Sequence, residues 1–260
     1  MRAKQQLGQN FLMHAATARR IVTSSKVPPG SHVLEIGPGT GMLTRELLDA
    51  GLFVTAIETD TELIPQLEKL FSVEIATGTL ILIHGDIRTF DLSKLPNPYC
   101  VIANIPYYIT GEIIRTLLTA THKPSSMTLL VQKEVAVRVA RSEKESLLSL
   151  SVKAYGTPSI AFLVPRGAFR PAPKVDSAVL HIASIHSVFR DSEHETFFFE
   201  VLHAGFGQKR KRLAKNLELL STREHIADVF ASLSVSPNTR SEDVVLSTWL
   251  ALAESLYRAQ

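Results

Sequence analysis

Residues 31–58 read SHVLEIGPGTGMLTRELLDAGLFVTAIE. An apolar run, Val33-Leu34-Glu35-Ile36, meets Gly37, Gly39 and Gly41, and a stretch with helical spacing begins at Met42. Glycine where a strand turns into a helix lets the backbone approach a ligand closely, because no Cβ intervenes. A second apolar run, 53–57, ends on Glu58, 21 positions after Gly37. That is close to the roughly 20-residue spacing of a carboxylate that grips ribose hydroxyls. Alone, the glycine loop is weak evidence. It serves nicotinamide, flavin and methyl-donor enzymes alike, or only makes a tight turn. No Lys follows the glycines, which excludes a nucleoside-triphosphate loop.

Further along, Leu80-Ile81-Leu82-Ile83 leads to Gly85-Asp86, and Cys100-Val101-Ile102-Ala103 leads to Asn104 in NIPYYIT, 104–110. The strand-like runs therefore end in turn on Gly37, Glu58, Asp86 and Asn104. In a doubly wound sheet such ends gather along one edge, where ligands bind. This recurrence is more specific than any single motif. Glu35 opens a Glu-x-Gly-x-Gly-x-Gly pattern, and Asp86 supplies a second acid suited to accept a hydrogen bond from adenine's amino group. Both favour S-adenosylmethionine (SAM) over a dinucleotide. The bland alternatives are a turn cap for Asp86 and a solvated strand end for Glu58, beside Asp60 and Glu62.

Asn104-Ile105-Pro106-Tyr107 suits methylation of an exocyclic amine on a flat ring. Adenine's N6 lone pair is delocalised into the ring, so the amine is a poor nucleophile. The Asn104 side-chain oxygen and the Ile105 carbonyl can accept its hydrogens and favour a pyramidal nitrogen. Pro106 stiffens the backbone that carries both acceptors, and Tyr107 can stack on the base. Such positioning lowers a barrier by several kcal/mol, and preorganised acceptors suit positive charge developing on nitrogen. The competing reading is a turn with a packed tyrosine. Reaching a base requires flipping it or taking it from a loop, and a second aromatic on its other face would help. Phe169 is the candidate, with a buried loop anchor as its alternative.

Outward from these motifs, helices are expected over 14–25, 42–50, 61–71, 112–119, 134–141 and 145–154, with a strand over 127–132. Strands 160–164 and 177–182 bracket a Pro-rich loop, 165–174, and two antiparallel strands closing a mostly parallel sheet would fit. After Ser187 only amphipathic helices are expected, over 196–203, 208–220, 223–233 and 242–257. The division expected is a catalytic domain over 1–187 and a helical RNA-binding domain over 188–260. The basic cluster Lys209, Arg210, Lys211, Arg212 and Lys215 opens the 208–220 segment and suits backbone phosphates. On a helix those residues could not all face one groove.

The 260 residues carry 45% hydrophobic and 20% charged side chains, ordinary for a globular protein, with net charge +3 and pI near 9.0. That mild basic excess permits a nucleic-acid partner without requiring one. No membrane-length apolar run occurs, and MRAKQQLGQNFL lacks the apolar stretch of a signal peptide, so a cytoplasmic protein is expected. Residues 1–12 alone read as a disordered tail. The lone Cys100 reads as a small buried hydrophobe. No metal-ligand cluster or nucleophilic triad is present, so hydrolase readings fall away.

The chain resembles the ribosomal RNA adenine N6-dimethyltransferases nearly end to end. The likeness is carried by LGQNFL (7–12), VLEIGPGTGMLT (33–44), IETD (57–60), GDI (85–87), NIPYYIT (104–110), QKEVAVRV (132–139), FRPAPKVDSAVL (169–180) and GFGQKRKRLAKNL (205–217). The resemblance implies an α/β, Rossmann-like class I SAM-dependent methyltransferase sheet with a small all-α carboxyl-terminal domain. It implies SAM contacts at Asn10, Leu12, Gly37, Glu58, Asp86 and Asn104, with Gln9, Gly39 and Ile87 beside them, which overturns the disordered-tail reading for 9–12. It also implies that Phe169 stacks on the target base. The substrate implied is a pair of adjacent adenosines in a hairpin loop near the 3′ end of 16S rRNA, met in a pre-30S particle by a monomeric enzyme without a membrane partner. PKVDSAV is closer to this housekeeping branch than to the resistance branch acting on 23S rRNA, which tends to have Asn in place of Asp176. Tyr108 stands where many members have Asn, and 140–153 lacks a longer Gly- and Tyr-containing connection. A non-catalytic ribosome-assembly factor and a DNA adenine methyltransferase are the readings from other classes.

Overall fold

The computed structural model describes residues 9–257. Leu7 and Gly8, the start of the LGQNFL motif, lie outside the described residues. In chain order the elements are β1 (Phe11–Leu12), α1 (Ala15–Ser25), β2 (His32–Ile36), α2 (Met42–Asp49), β3 (Phe53–Glu58), α3 (Ile64–Leu70), α4 (Ser72–Ala76) and β4 (Leu80–His84). Then come β5 (Tyr99–Asn104), α5 (Thr110–Thr119), β6 (Met127–Gln132), α6 (Lys133–Ala140), α7 (Leu147–Lys153), β7 (Thr157–Val164), β8 (Phe169–Arg170) and β9 (Ser177–Ala183). Four helices follow: α8 (Ser192–Phe206), α9 (Leu213–Leu217), α10 (Arg223–Ser232) and α11 (Leu246–Tyr257).

Two compact units result. The first comprises the described residues up to 140 together with 156–186; the second comprises 141–155 and the chain from 187 onward. The second unit thus takes α7, which is expected from sequence to belong with the catalytic domain.

In the first unit seven strands run in the order β4-β3-β2-β5-β6-β9-β7. The first five are parallel, and β9 joins β6 and β7 antiparallel, as the pair of late strands suggested. Parallel central strands are covered on both faces and so read as continuous apolar runs. Val33, Leu34, Val101, Ile102, Leu129 and Leu130 are all buried accordingly. Strand order reverses between β2 and β5, which opens a crevice at their carboxyl ends. A separate ribbon pairs β1 with β8, Phe11 opposite Arg170 and Leu12 opposite Phe169. No periodicity announces this ribbon, since each strand has two residues.

The second unit is helical, around Trp249, Phe198, Val201, Leu202 and Leu252. Gly205 is required there: a Cβ would fall 2.3 Å from the Trp249 ring. The helix expected over 208–220 is only Leu213–Leu217, and 208–212 forms turns. Buried Asn216 reaches back to cap the end of α8, donating from Nδ2 to the Gly205 carbonyl at 2.6 Å and the Gln208 carbonyl at 3.2 Å. The Leu213 amide donates to Thr239. Those tertiary bonds replace helical ones, and the basic residues lie on a turn.

Candidate functional site

The carboxyl ends of β2, β3, β4 and β5 surround a cleft made of two recesses that share Gly37, Thr59 and Pro106. The first is lined by Gln9, Asn10, Glu58, Asn104 and Tyr107, with Gly39, Ile105 and Phe11. The second is lined by Asp86, Ile87 and Arg88 with apolar walls from Ile57, Ile113 and Tyr108. Most of the residues singled out in the sequence therefore meet in one place. Leu12 and Phe169 line neither recess.

The glycine loop is held by the neighbouring strand. Gly37 N–H donates to the Ile57 carbonyl at 2.9 Å, and the Gly39 amide donates to Glu58 Oε2 at 3.0 Å. Glu58 Oε1 accepts from the Asp60 amide at 2.9 Å, and Glu58 is 4% exposed. It is no solvated strand end. Each carboxylate oxygen has two lone pairs, so Glu58 can organise the loop and still receive ribose hydroxyls. Gly37 has φ +67°, and a Cβ there would meet nothing within 4 Å. The glycine therefore leaves open space over the loop that a side chain would fill, which fits a ligand lying against the backbone. Gly39 is different: with φ +59°, its missing Cβ makes room for the Phe11 ring.

Glu35, in β2 two positions before Gly37, is 1% exposed, and its Oε2 has no hydrogen-bond partner. Burial pushes its carboxyl up to about 8. Thr44, whose hydroxyl makes no hydrogen bond of good geometry, offsets this only in part, and the charge of Glu58 adds to it.

Asp86 both caps its turn and lines the cleft. Its Oδ1 accepts from the Arg88 backbone amide at 2.9 Å, while the Arg88 guanidinium grips both oxygens, Nε at 3.0 Å from each. The Arg88 hydrogen bonds hold the carboxyl below its ordinary range. Arg88 was missed in the sequence because one Arg after a strand has no distinguishing context.

Asn104 closes β5. Its Nδ2 donates to the Asn10 carbonyl at 3.0 Å. A carbonyl can only accept, so this contact settles which end of the amide faces Asn10 and leaves Oδ1 as the acceptor for another group. Pro106 continues in extended backbone, φ −60° and ψ 131°, and starts the short turn Tyr107–Ile109. The Tyr107 hydroxyl meets Ser177 Oγ at 2.5 Å.

Leu12 and Phe169 stand apart from the two recesses. They are 3% and 4% exposed and belong to the apolar core with Val164, Ala168 and Val179. Pairing across the β1–β8 ribbon turns both inward. Phe169 is buried, as its anchor reading expects, and Phe11, next to Leu12 in the ribbon, lines the first recess. Cys100 is half-buried in β5. In the second unit Lys209, Arg210, Lys211 and Arg212 are exposed, whereas Lys215 pairs with Glu218. Among the described residues no group of three His, Cys, Asp or Glu could hold a metal ion. No helix among them is long and apolar enough to cross a membrane.

The family model described as ribosomal RNA adenine dimethylase matches residues 1–257. A protein of Dehalococcoides mccartyi strain BAV1 named ribosomal RNA small subunit methyltransferase A is 36% identical, the match covering 97% of this chain and 88% of that one. Its namesake in Lactococcus lactis is also 36% identical, with 97% and 90% covered. Among solved structures, a dimethyladenosine transferase of Plasmodium falciparum superposes with TM-score 0.80 at 25% identity, over 93% of this chain and 95% of that one. The 23S rRNA methyltransferase ErmE superposes with TM-score 0.75 at 26% identity, over 95% and 100%.

Proposed function

The chain belongs to the ribosomal RNA adenine dimethylase family, and from that premise we propose that it dimethylates N6 of two adjacent adenosines in the 3′-terminal hairpin loop of 16S rRNA, within a small-subunit precursor. It is a SAM-dependent enzyme of rRNA. The observation that carries the reading is the orientation of the Asn104 amide, whose nitrogen is engaged by Asn10 so that Oδ1 accepts.

SAM supplies a methyl group on a sulfonium, ready for transfer to an amine. The chain's own groups fit that donor. Asp86 would take the purine amino group between the apolar walls of Ile57, Ile87 and Pro106. Glu58 would take the ribose hydroxyls, and the open backbone at Gly37 with Asn10 and Gln9 would border the amino-acid end.

Toward the target, Asn104 Oδ1 and the Ile105 carbonyl accept the hydrogens of the adenine amine, and Tyr107 lies against the base. Acceptors fixed in advance stabilise the positive charge that grows on N6 without reorganising during the reaction. The pair acts by position rather than by taking a proton in the transition state, so a group titrating near neutrality is not required. Taking the base from a loop keeps the unstacking cost low. The exposed turn Lys209-Arg210-Lys211-Arg212 supplies phosphate contacts to the RNA around it.

Asp176, the residue that favours the 16S over the 23S branch, accepts the Arg166 amide at 3.0 Å through Oδ1. It shapes the loop that follows β7. Incubating the protein and labelled SAM with 30S particles from a strain lacking the modification, and separately with 23S rRNA and DNA, tests the reading. Label as dimethyladenosine in the 16S hairpin is expected; label only in 23S rRNA or DNA, or none, would overturn it.

A further inference from the structure

Ser177 opens β9, paired with Gln132 of β6 on one side and Val164 of β7 on the other. It is 0% exposed. A serine so enclosed between two strands has no freedom to follow a moving partner. Its Oγ nevertheless stands 2.5 Å from the Tyr107 hydroxyl, 70 positions away in the chain. Tyr107 lines the first recess of the cleft beside Asn104. Its ring is therefore held at both ends, at the root by the extended Pro106 backbone and at the tip by the sheet.

The tip contact has a consequence that packing alone does not supply. A tyrosine held only at its root can hop between χ1 rotamers and carry its ring to another place. The hydroxyl lies on the axis of the ring, so a hydrogen bond there leaves χ2 free but, with the root fixed, holds χ1 and hence the place where the ring stands. We propose that Ser177 is a positioning residue for methyl transfer, holding the Tyr107 ring in the place where it meets the target base. The inference rests on the reading of the cleft as an adenine-N6 methyltransferase site. It adds a residue that touches neither donor nor base and acts through Tyr107.

The test compares wild type, Ser177→Ala, Tyr107→Phe and the double variant. Turnover and KM are measured on 30S particles, SAM affinity by calorimetry, and stability by thermal melting. Each single substitution is expected to lower kcat on the order of ten- to a hundredfold, as misplacement of a reacting group does, with SAM affinity unchanged. Because both remove one interaction, the double variant should be no slower than the slower single variant. A merely structural hydrogen bond would lower melting temperature and leave kcat per folded molecule intact. Unchanged kcat in both single variants, or losses that multiply in the double variant, would overturn the proposal. If Ser177→Ala does not fold, Tyr107→Phe alone decides, since it opens no cavity at the buried serine. A wild-type protein that transfers no methyl to the particles would instead overturn the functional reading, and this inference with it.

Discussion

The Asn104 side-chain amide donates to the backbone carbonyl of Asn10 at 3.0 Å, across 94 positions of sequence. One residue thereby faces the proposed substrate with its oxygen and steadies the amino-terminal arm with its nitrogen. Replacing it should separate chemistry from binding. Asn104→Ala is expected to lose turnover by a hundredfold or more, on the order seen when a preorganised polar group is removed from a reacting centre, while RNA affinity stays close to wild type. Filter binding beside single-turnover methylation reads both. Equal loss of the two would refute the assigned role.

Gly39 should not tolerate a side chain. Its φ of +59° is left-handed, and a Cβ would sit 2.9 Å from Phe11 Cδ1. Left-handed backbone costs about 1–2 kcal/mol for a residue with a Cβ, and the displaced Phe11 ring adds to it. Gly39→Ala is therefore expected to weaken SAM binding and lower the melting temperature. Adding Phe11→Ala should relieve the clash while leaving the backbone strain, so stability should recover only in part. Full recovery would show that the φ strain is negligible.

Glu35 makes stability fall as pH rises. Its carboxyl sits at about 8 when folded, against an ordinary 4.5. The folded chain keeps that proton across the interval while the unfolded chain releases it. This contribution to stability is fully present below 4.5 and lost as pH rises through 8. Glu35→Gln keeps the shape without the titration. Its melting temperature relative to wild type should climb steadily from about pH 4.5 to about pH 8, the window set by that shift, and level off above it. A difference independent of pH would contradict a buried proton on Glu35.

The exposed turn should govern salt dependence. Changing Lys209, Arg210, Lys211 and Arg212 to Ala should weaken rRNA binding and flatten its salt dependence, by roughly 0.7–0.9 in log–log slope for each phosphate no longer neutralised. Lys215→Ala should do less, because Lys215 is already paired with Glu218, which also receives Arg223. An unchanged slope in the quadruple variant would place the RNA-binding surface elsewhere.

Much of this site was readable without coordinates. Gly37, Glu58, Asp86 and Asn104 each end an apolar run, and parallel strands buried on both faces announce themselves in that way. Once those runs form one sheet, their ends must share an edge. The basic residues at 209–212 were visible too, but their conformation was not: Asn216 and Thr239 compete successfully for the bonds a helix would have made there.

By itself, then, the sequence determined the main sheet strands and most of the helices in chain order, the glycine loop and the acceptor tetrapeptide. All of these are patterns of short range, set by backbone sterics and alternating burial. Only the tertiary structure decided that Phe169 and Leu12 turn inward, that Phe11 covers Gly39, that Arg88 grips Asp86, and that Tyr107 leans on Ser177. Most of those contacts join residues far apart in the chain, through strand register and a ribbon too short to carry a periodicity. Arg88, two positions from Asp86, is the local exception. Its contact depends on which rotamer the cleft leaves room for, and no spacing in a sequence reports a rotamer.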